Sequence, residues 1–306
     1  MKIALFLLLA ALLFTGCSVP REPVLPAGAD PTPVLRREIV LRLSFNTLYI
    51  RPGDTQQLTA AVYERRAPAE GCRVAFSTAS GAATVDEDGR ITAGKKAGES
   101  RLLAAVLDET GKVLAEEGVQ VICSDSAPWY GGFTYIGGVL LVNKEFSLPE
   151  SYDPGDLLPE VRQAMEQMFE AARQEGLKLW NQSSYRSYGY QEKLYKKYVR
   201  EWGSERAERF SARPGHSEHQ TGLTFDLNTI TEEFGDTPEG RWVAEHAPEY
   251  GFIVRYAKAF ESVTGYRYEP WHLRYLGREL AQKVSASGLS LEEFLGVPTV
   301  FIYEFE

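Results

Sequence analysis

Two stretches, Ser217-Glu-His219-Gln-Thr-Gly222-Leu-Thr-Phe-Asp226 and the downstream Glu269-Pro-Trp-His272, decide how this chain is read. His219, Asp226 and His272 are donors of the types zinc prefers, and a catalytic zinc site keeps a further position open for water. Such a water needs a base, and Glu269 stands three residues before His272. The chain has only four histidines; His219 and His272 fall in these two stretches, and His216 immediately precedes the first. Spacing alone leaves a second reading open: three hydrogen-bonded histidines in a polar groove.

Outward from these stretches the pattern mixes helix and strand. Leu157, Leu158, Val161, Met165, Met168, Phe169 and Ala172 recur at helical spacing with Gly176 as a stop, and this stripe reads as core. Leu177 to Ser184 reads as a strand, and Ser187 can cap a helix running to about Trp202. A further helix is expected near Glu239 to Glu249, closed by Gly251, followed by the strand Phe252-Ile-Val254. The last two helices cover about Leu276 to Ser285 and a short one behind the capping box Ser290-Leu-Glu-Glu293. No βαβ rhythm runs through these elements, which argues for α+β. His246 lies on a helical face and reads as structural.

Residues 37–123 are patterned differently. Leu41, Leu43 and Phe45 alternate with polar residues, as do Leu58, Ala60 and Val62, and Asp86-Glu-Asp-Gly89 is a turn between short strands. Short alternating runs with regular turns predict an all-β sandwich without catalytic residues. Cys72 should open one strand and Cys123 close another running the same way, too far apart for a disulfide. Residues 124–130 are a polar linker.

The first 17 residues read as a leader. Lys2 is its positive end, Ile3 to Phe14 is apolar but too short to span a bilayer, and Phe14-Thr15-Gly16-Cys17 resembles a lipobox. That predicts cleavage before Cys17, a lipid on its thiol, and an extracytoplasmic protein anchored to the membrane of the cell envelope. Pro20, Pro23, Pro26, Pro31 and Pro33 make residues 18–36 an extended tether. A net charge of −9 over 306 residues and the lack of a basic stripe argue against nucleic acid as a partner.

The segment from about Gly131 to Leu280 resembles the VanY family of D-alanyl-D-alanine carboxypeptidases, within the superfamily shared with lysostaphin-type enzymes and hedgehog domains. The residues that carry the resemblance are Leu141-Val-Asn-Lys144, Ser184-Tyr-Arg186, Gln191, Arg213-Pro-Gly-His-Ser-Glu-His-Gln-Thr-Gly222, Tyr250-Gly-Phe-Ile-Val-Arg255 and Glu269-Pro-Trp-His272-Leu-Arg274. Thr224 departs from it, standing where alanine is usual. The resemblance implies an α+β zinc peptidase with a small antiparallel sheet over residues 131–306. It implies His219, Asp226 and His272 as zinc ligands and Glu269 as the catalytic base. A guanidinium suits both a free C-terminal carboxylate and a developing oxyanion, which makes Arg186 the next candidate for catalysis and substrate binding. Gln191 and Ser217 match positions lining the substrate pocket, and His216 matches no ligand. The expected reaction removes terminal D-alanine from peptidoglycan stem peptides. An L,D-carboxypeptidase acting on tetrapeptide stems, and a non-catalytic wall-binding protein with a vestigial zinc site, are the alternatives. Arg51-Pro-Gly-Asp-Thr-Gln-Gln-Leu-Thr-Ala60, Ala83-Thr-Val-Asp-Glu-Asp-Gly-Arg-Ile-Thr-Ala93 and Ala97-Gly98 resemble the bacterial Ig-like domain, group 2. They support a fold for residues 37–123 and no activity.

Overall fold

Alternation of apolar and polar residues turns residues 39–123 into ten strands: β1 (Ile39–Leu43), β2 (Thr47–Ile50), β3 (Thr55–Gln57), β4 (Ala60–Glu64), β5 (Ala67–Pro68), β6 (Cys72–Ser80), β7 (Thr84–Val85), β8 (Arg90–Thr92), β9 (Gly98–Asp108) and β10 (Val113–Cys123). In the computed structural model the described residues are 38–297. The leader, Cys17 and the proline-rich segment expected from the sequence lie outside them. Strand β9 shows the period-2 rule plainly. Leu102, Ala104 and Val106 point inward and are almost fully buried, and Val119, Val121 and Cys123 of β10 join them. Leu41, Leu43 and Ile91 from the neighbouring sheets close the same core.

The two cysteines do not pair. Strands β6 and β10 both run antiparallel to β9, so they run the same way. Cys72 opens β6 opposite Asp108, and Cys123 closes β10 opposite Gly98. Cys123 is buried, whereas Cys72 is partly exposed.

The chain then crosses into the α+β region without leaving the first sheet. Strand β11 (Gly131–Phe133) pairs with β2 and completes a five-stranded sheet of order β11-β2-β10-β9-β6. Gly132 is needed there, because a Cβ would fall 2.1 Å from the ring of Phe45. Arg42 donates to Glu145 at 2.7 Å, and Asn46 donates to the Tyr135 carbonyl at 2.8 Å. The hairpin of β12 (Tyr135–Ile136) and β13 (Val139–Leu140) follows.

Helix α1 (Pro159–Gln174) carries the expected stripe, with Val161, Ala164, Met165, Met168 and Ala172 buried in the second core. Strand β14 (Asn181–Ser183) is shorter than the expected 177–184. Asn228 explains the difference. It sits in the left-handed region at φ 44°, and its side chain bonds the backbone of Trp180 and Lys178 at 3.0 and 2.9 Å, in place of a ladder. Helix α2 (Tyr188–Trp202) starts where expected, with Ser187 Oγ accepting from the Tyr190 amide at 3.2 Å. The short α3 (Ser204–Glu208), which the sequence reading missed, packs against it. Next come β15 (Thr224–Leu227), α4 (Pro238–His246), β16 (Phe252–Tyr256), α5 (Glu261–Thr264), β17 (Glu269–Tyr275), α6 (Arg278–Ser287) and α7 (Leu291–Phe294). Helix α4 stops earlier than expected. Pro248 has no amide hydrogen to continue the ladder, and a 3-10 turn over Ala247–Tyr250 takes over. The capping box before α7 is complete.

The sheet that matters for the site is antiparallel, in the order β14-β15-β17-β16. Phe225, Leu227 and Leu273 send one face into the core beneath α1. The opposite face carries Asp226, His272 and Arg274.

Candidate metal centre and cleft

Strand register makes the first contact. Asp226 of β15 stands directly opposite His272 of β17, and their Oδ1 and Nδ1 atoms lie 3.2 Å apart. His219 arrives from the 3-10 turn Glu218–Thr221, which Gly222 ends at φ 70°. A Cβ on Gly222 would also meet the Asp156 carbonyl oxygen at 2.8 Å, so glycine is required on both counts. His219 Nε2 reaches Asp226 Oδ2 at 3.3 Å. Glu269, at the start of β17, places Oε2 3.6 Å from His272 Nδ1. The pairing of β16 with β17 shifts register between Val254–Leu273 and Tyr256–Glu269, in this part of the strand.

These contacts are not hydrogen bonds that satisfy the donors. His219 Nε2 and Asp226 Oδ1 are both buried, and neither has a hydrogen-bond partner among the described residues. Three ligand atoms, one each from His219, Asp226 and His272, lie within 4.8 Å of one another. Tetrahedral coordination with bonds of about 2.0–2.1 Å sets ligand atoms roughly 3.3–3.4 Å apart. The two nitrogen–oxygen separations of 3.3 and 3.2 Å, one to each oxygen of Asp226, are each close to that edge. The donor set therefore fits zinc.

Each imidazole is held by its other nitrogen. His219 Nδ1 donates to the Ser184 carbonyl at 2.6 Å, which leaves Nε2 free to ligate. His272 Nε2 faces Glu218 Oε2 at 3.4 Å, which leaves Nδ1. Glu218 was not singled out from the sequence. It is buried and accepts from Arg255 Nε at 2.9 Å and Arg274 Nη1 at 3.0 Å. Arg255 in turn makes a two-pronged contact with Glu292 at 2.8 and 2.6 Å, and Asn143 donates to Glu292 at 3.0 Å. Two carboxylates and two guanidiniums thus cancel behind the ligands. Helical or strand periodicity does not mark such residues. The one available signal was their place inside or beside the quoted motifs.

The electrostatics follow from burial and neighbours. Burial pushes the His219 imidazole down to about 4, and Arg186 adds to the effect. Burial would raise the Asp226 carboxyl, but the two imidazoles outweigh it and hold it well below the usual carboxylate range. Burial would lower His272, yet the neighbouring Asp226 and Glu218 carboxylates outweigh it and lift it to about 9 in the metal-free protein. Burial pushes Glu269 up to about 7.

The remaining expected residues divide. Ser217 lines the cleft beside the three donors. Arg186 lines it too, with Nη2 3.4 Å from Asp226 Oδ2 and a buried Nε that has no partner among the described residues. Gln191 does not line it. It is buried behind Arg186, accepts from Arg186 Nη1 at 3.2 Å, and donates to the Ala212 carbonyl at 2.7 Å. Its helix turns it inward, so it can position Arg186 but not touch a substrate in the cleft. His216 stays outside the donor group and bonds the Asn143 carbonyl at 2.8 Å. His246 bonds Glu249 at 3.0 Å near the surface. The cleft is about 1000 Å³, and its walls include Tyr190, Tyr198, Phe210, Tyr256, Tyr266 and Trp271.

The family model for VanY, described as D-alanyl-D-alanine carboxypeptidase, matches residues 155–278. The chain is 40% identical over 178 residues to YodJ of Bacillus subtilis (strain 168), covering 50% of this chain and 65% of that protein. It is 31% identical over 175 residues to the bifunctional D-Ala-D-Ala dipeptidase and D-Ala-D-Ala carboxypeptidase VanXYC of Enterococcus gallinarum, covering 50% of this chain and 91% of that one. Among solved structures it is similar to the LdcB LD-carboxypeptidase, with 35% identity, a TM-score of 0.50, and coverage of 55% of this chain and 94% of the other. Against YodJ the match spans just under two thirds of the relative's length. The chain belongs to the VanY family, and its N-terminal β-rich region lies outside the matched residues.

Proposed function

We propose that this VanY-family chain is a zinc carboxypeptidase that removes the terminal D-alanine from peptidoglycan stem peptides. The observation that carries the reading is the pair of buried donors, His219 Nε2 and Asp226 Oδ1, left without hydrogen bonds and facing His272 in an open cleft. In this reading His219, Asp226 and His272 hold the ion. Zinc bound there would polarise the scissile carbonyl and acidify a water. Glu269, with its carboxyl near neutrality, takes the proton of the attacking water and returns it to the leaving amine. Arg186 offers its donors to the developing oxyanion or to the free C-terminal carboxylate. Gln191 fixes the guanidinium, and Ser217 lines the subsite.

One observation favours a second reading, an L,D-carboxypeptidase acting on tetrapeptide stems. The LdcB enzyme, which the chain matches over 94% of its length, carries that activity in its name. The test is to incubate metal-loaded protein with defined pentapeptide and tetrapeptide muropeptides and to identify products by mass. Loss of D-alanine from the pentapeptide is expected. Cleavage of the tetrapeptide alone establishes the L,D reading. Retention of zinc with no cleavage of either identifies a non-catalytic wall-binding protein.

The remaining assignments complete the proposal. Residues 1–17 are a lipoprotein signal with Cys17 as the lipidated residue, and 18–36 tether the body to the membrane of the cell envelope. Residues 37–123 form an Ig-like sandwich of bacterial group 2 that acts as spacer or wall contact. Residues 124–130 link it to the peptidase at 131–306. Lipid labelling that survives Cys17→Ser overturns the anchor.

A further inference from the structure

One charged side chain on the cleft has no task in the reading above. Arg267 lines the cleft two residues before Glu269. It is exposed, and among the described residues its side chain has no hydrogen bond or ion pair. Its guanidinium carbon lies 5.8 Å from the centroid of the Phe210 ring, a contact that leaves its N–H donors unclaimed. Every other charged group of the lining is engaged. Arg255 and Arg274 hold Glu218, the two imidazoles flank Asp226, Glu269 stands beside His272, and Asp226 and Gln191 hold Arg186.

The balance of charge defines the complement. A doubly charged ion offsets Asp226 and Glu269, and Glu218 is offset from behind. The two guanidiniums, Arg186 and Arg267, then remain as the net charge of the lining, on a chain whose formal charge is −9. A carboxypeptidase substrate presents one C-terminal carboxylate, and Arg186 can answer it. A leaving alanine has no other acid group. A second anion must therefore come from the acyl side of the scissile bond. We propose that Arg267 is a specificity-determining residue that reads a second carboxylate on the substrate, upstream of the bond that is cut. This rests on the carboxypeptidase reading. Stem peptides offer that chemistry in two places: the side-chain carboxylate of a diamino dicarboxylic third residue, and the α-carboxylate left free by a γ-linked glutamyl residue.

The test uses the zinc-loaded full chain and four stem peptides sharing one C-terminal D-alanine. Residue two is γ-linked glutamate or its α-amide, and residue three is a diamino dicarboxylic acid or lysine. The wild type should favour carboxylate over its neutral counterpart at one of these positions, by roughly 10- to 100-fold in kcat/KM, as a charge-assisted fork contact permits. Whichever position carries the preference identifies the source. In Arg267→Gln the ratio should collapse towards one, and Arg267→Lys should restore part of it. An unchanged ratio in Arg267→Gln overturns the inference, as does an equal loss on all four peptides. Equal cleavage of all four by the wild type removes this inference alone. Cleavage of none by the wild type removes the carboxypeptidase reading beneath it.

Discussion

Replacing Glu218 with glutamine tests the buried charge network and the metal site together. Glu218 Oε1 accepts from Arg255 and Arg274 at 2.9 and 3.0 Å, and Oε2 faces His272 at 3.4 Å. Its side chain is fully buried. Glutamine keeps the shape but removes the charge and turns an amide group towards a donor. Arg255 retains its two contacts to Glu292. Arg274 retains only the carbonyls of Leu140 and Tyr275. One buried guanidinium is then left without a counter-ion, a loss of about 3–5 kcal/mol. For a unit of this size that lowers Tm by roughly 6–20 °C. Zinc affinity should also fall by about 10- to 100-fold, because His272 loses the carboxylate that orients it. The arginines hold Glu218 well below the usual carboxylate range, although burial opposes them. Its stabilisation is therefore present above the unfolded-state value of about 4.3 and fades as pH falls below it. The stability gap between wild type and variant should narrow in acid. Denaturant titration at constant slope, paired with zinc titration by calorimetry, measures both effects. Adding Arg274→Met should recover part of the loss, since it removes the stranded charge. A destabilisation under about 1 kcal/mol with unchanged zinc affinity would refute the argument, because it would mean that Arg274 needs no counter-ion.

Three further outcomes are expected. Glu269→Gln should keep zinc near the wild-type level while turnover falls by a factor on the order of 10²–10⁴; wild-type cleavage would show that another group is the base. His272 is held protonated up to about 9 in the metal-free protein, so zinc must displace a proton below that pH. Calorimetry at neutral pH in buffers of different ionisation enthalpy should find at least about one proton released per zinc, with affinity falling about tenfold per pH unit on acidification, and proton-independent binding would contradict this. The Thr224 hydroxyl is buried and has no hydrogen-bond partner among the described residues. Thr224→Val should leave stability unchanged or raise it by about 1 kcal/mol in a denaturant melt, and a marked loss would mean that the hydroxyl has a partner after all.

The sequence by itself determined the parts that depend on neighbours along the chain. Ser187 and Ser290 mark helix starts because a cap bonds an amide three residues ahead. The stripe from Val161 to Ala172 marks a buried face because helical spacing stacks its members. His219, Asp226 and His272 were legible as candidate metal donors because their residue types are those zinc prefers, and Glu269 as a candidate base because it stands three residues before His272. Tertiary structure decided what depends on which faces meet. It set Asp226 opposite His272 through register, and turned Gln191 inward behind Arg186. It gathered Glu218, Arg255, Arg274 and Glu292 from four separate elements into one neutral cluster. It also left the Arg267 guanidinium on the cleft without a hydrogen bond or ion pair among the described residues. A charged residue reads the same in sequence whether solvated or buried. Only the packing that removes water from it, or leaves it facing a cleft, gives it a partner or a vacancy to fill.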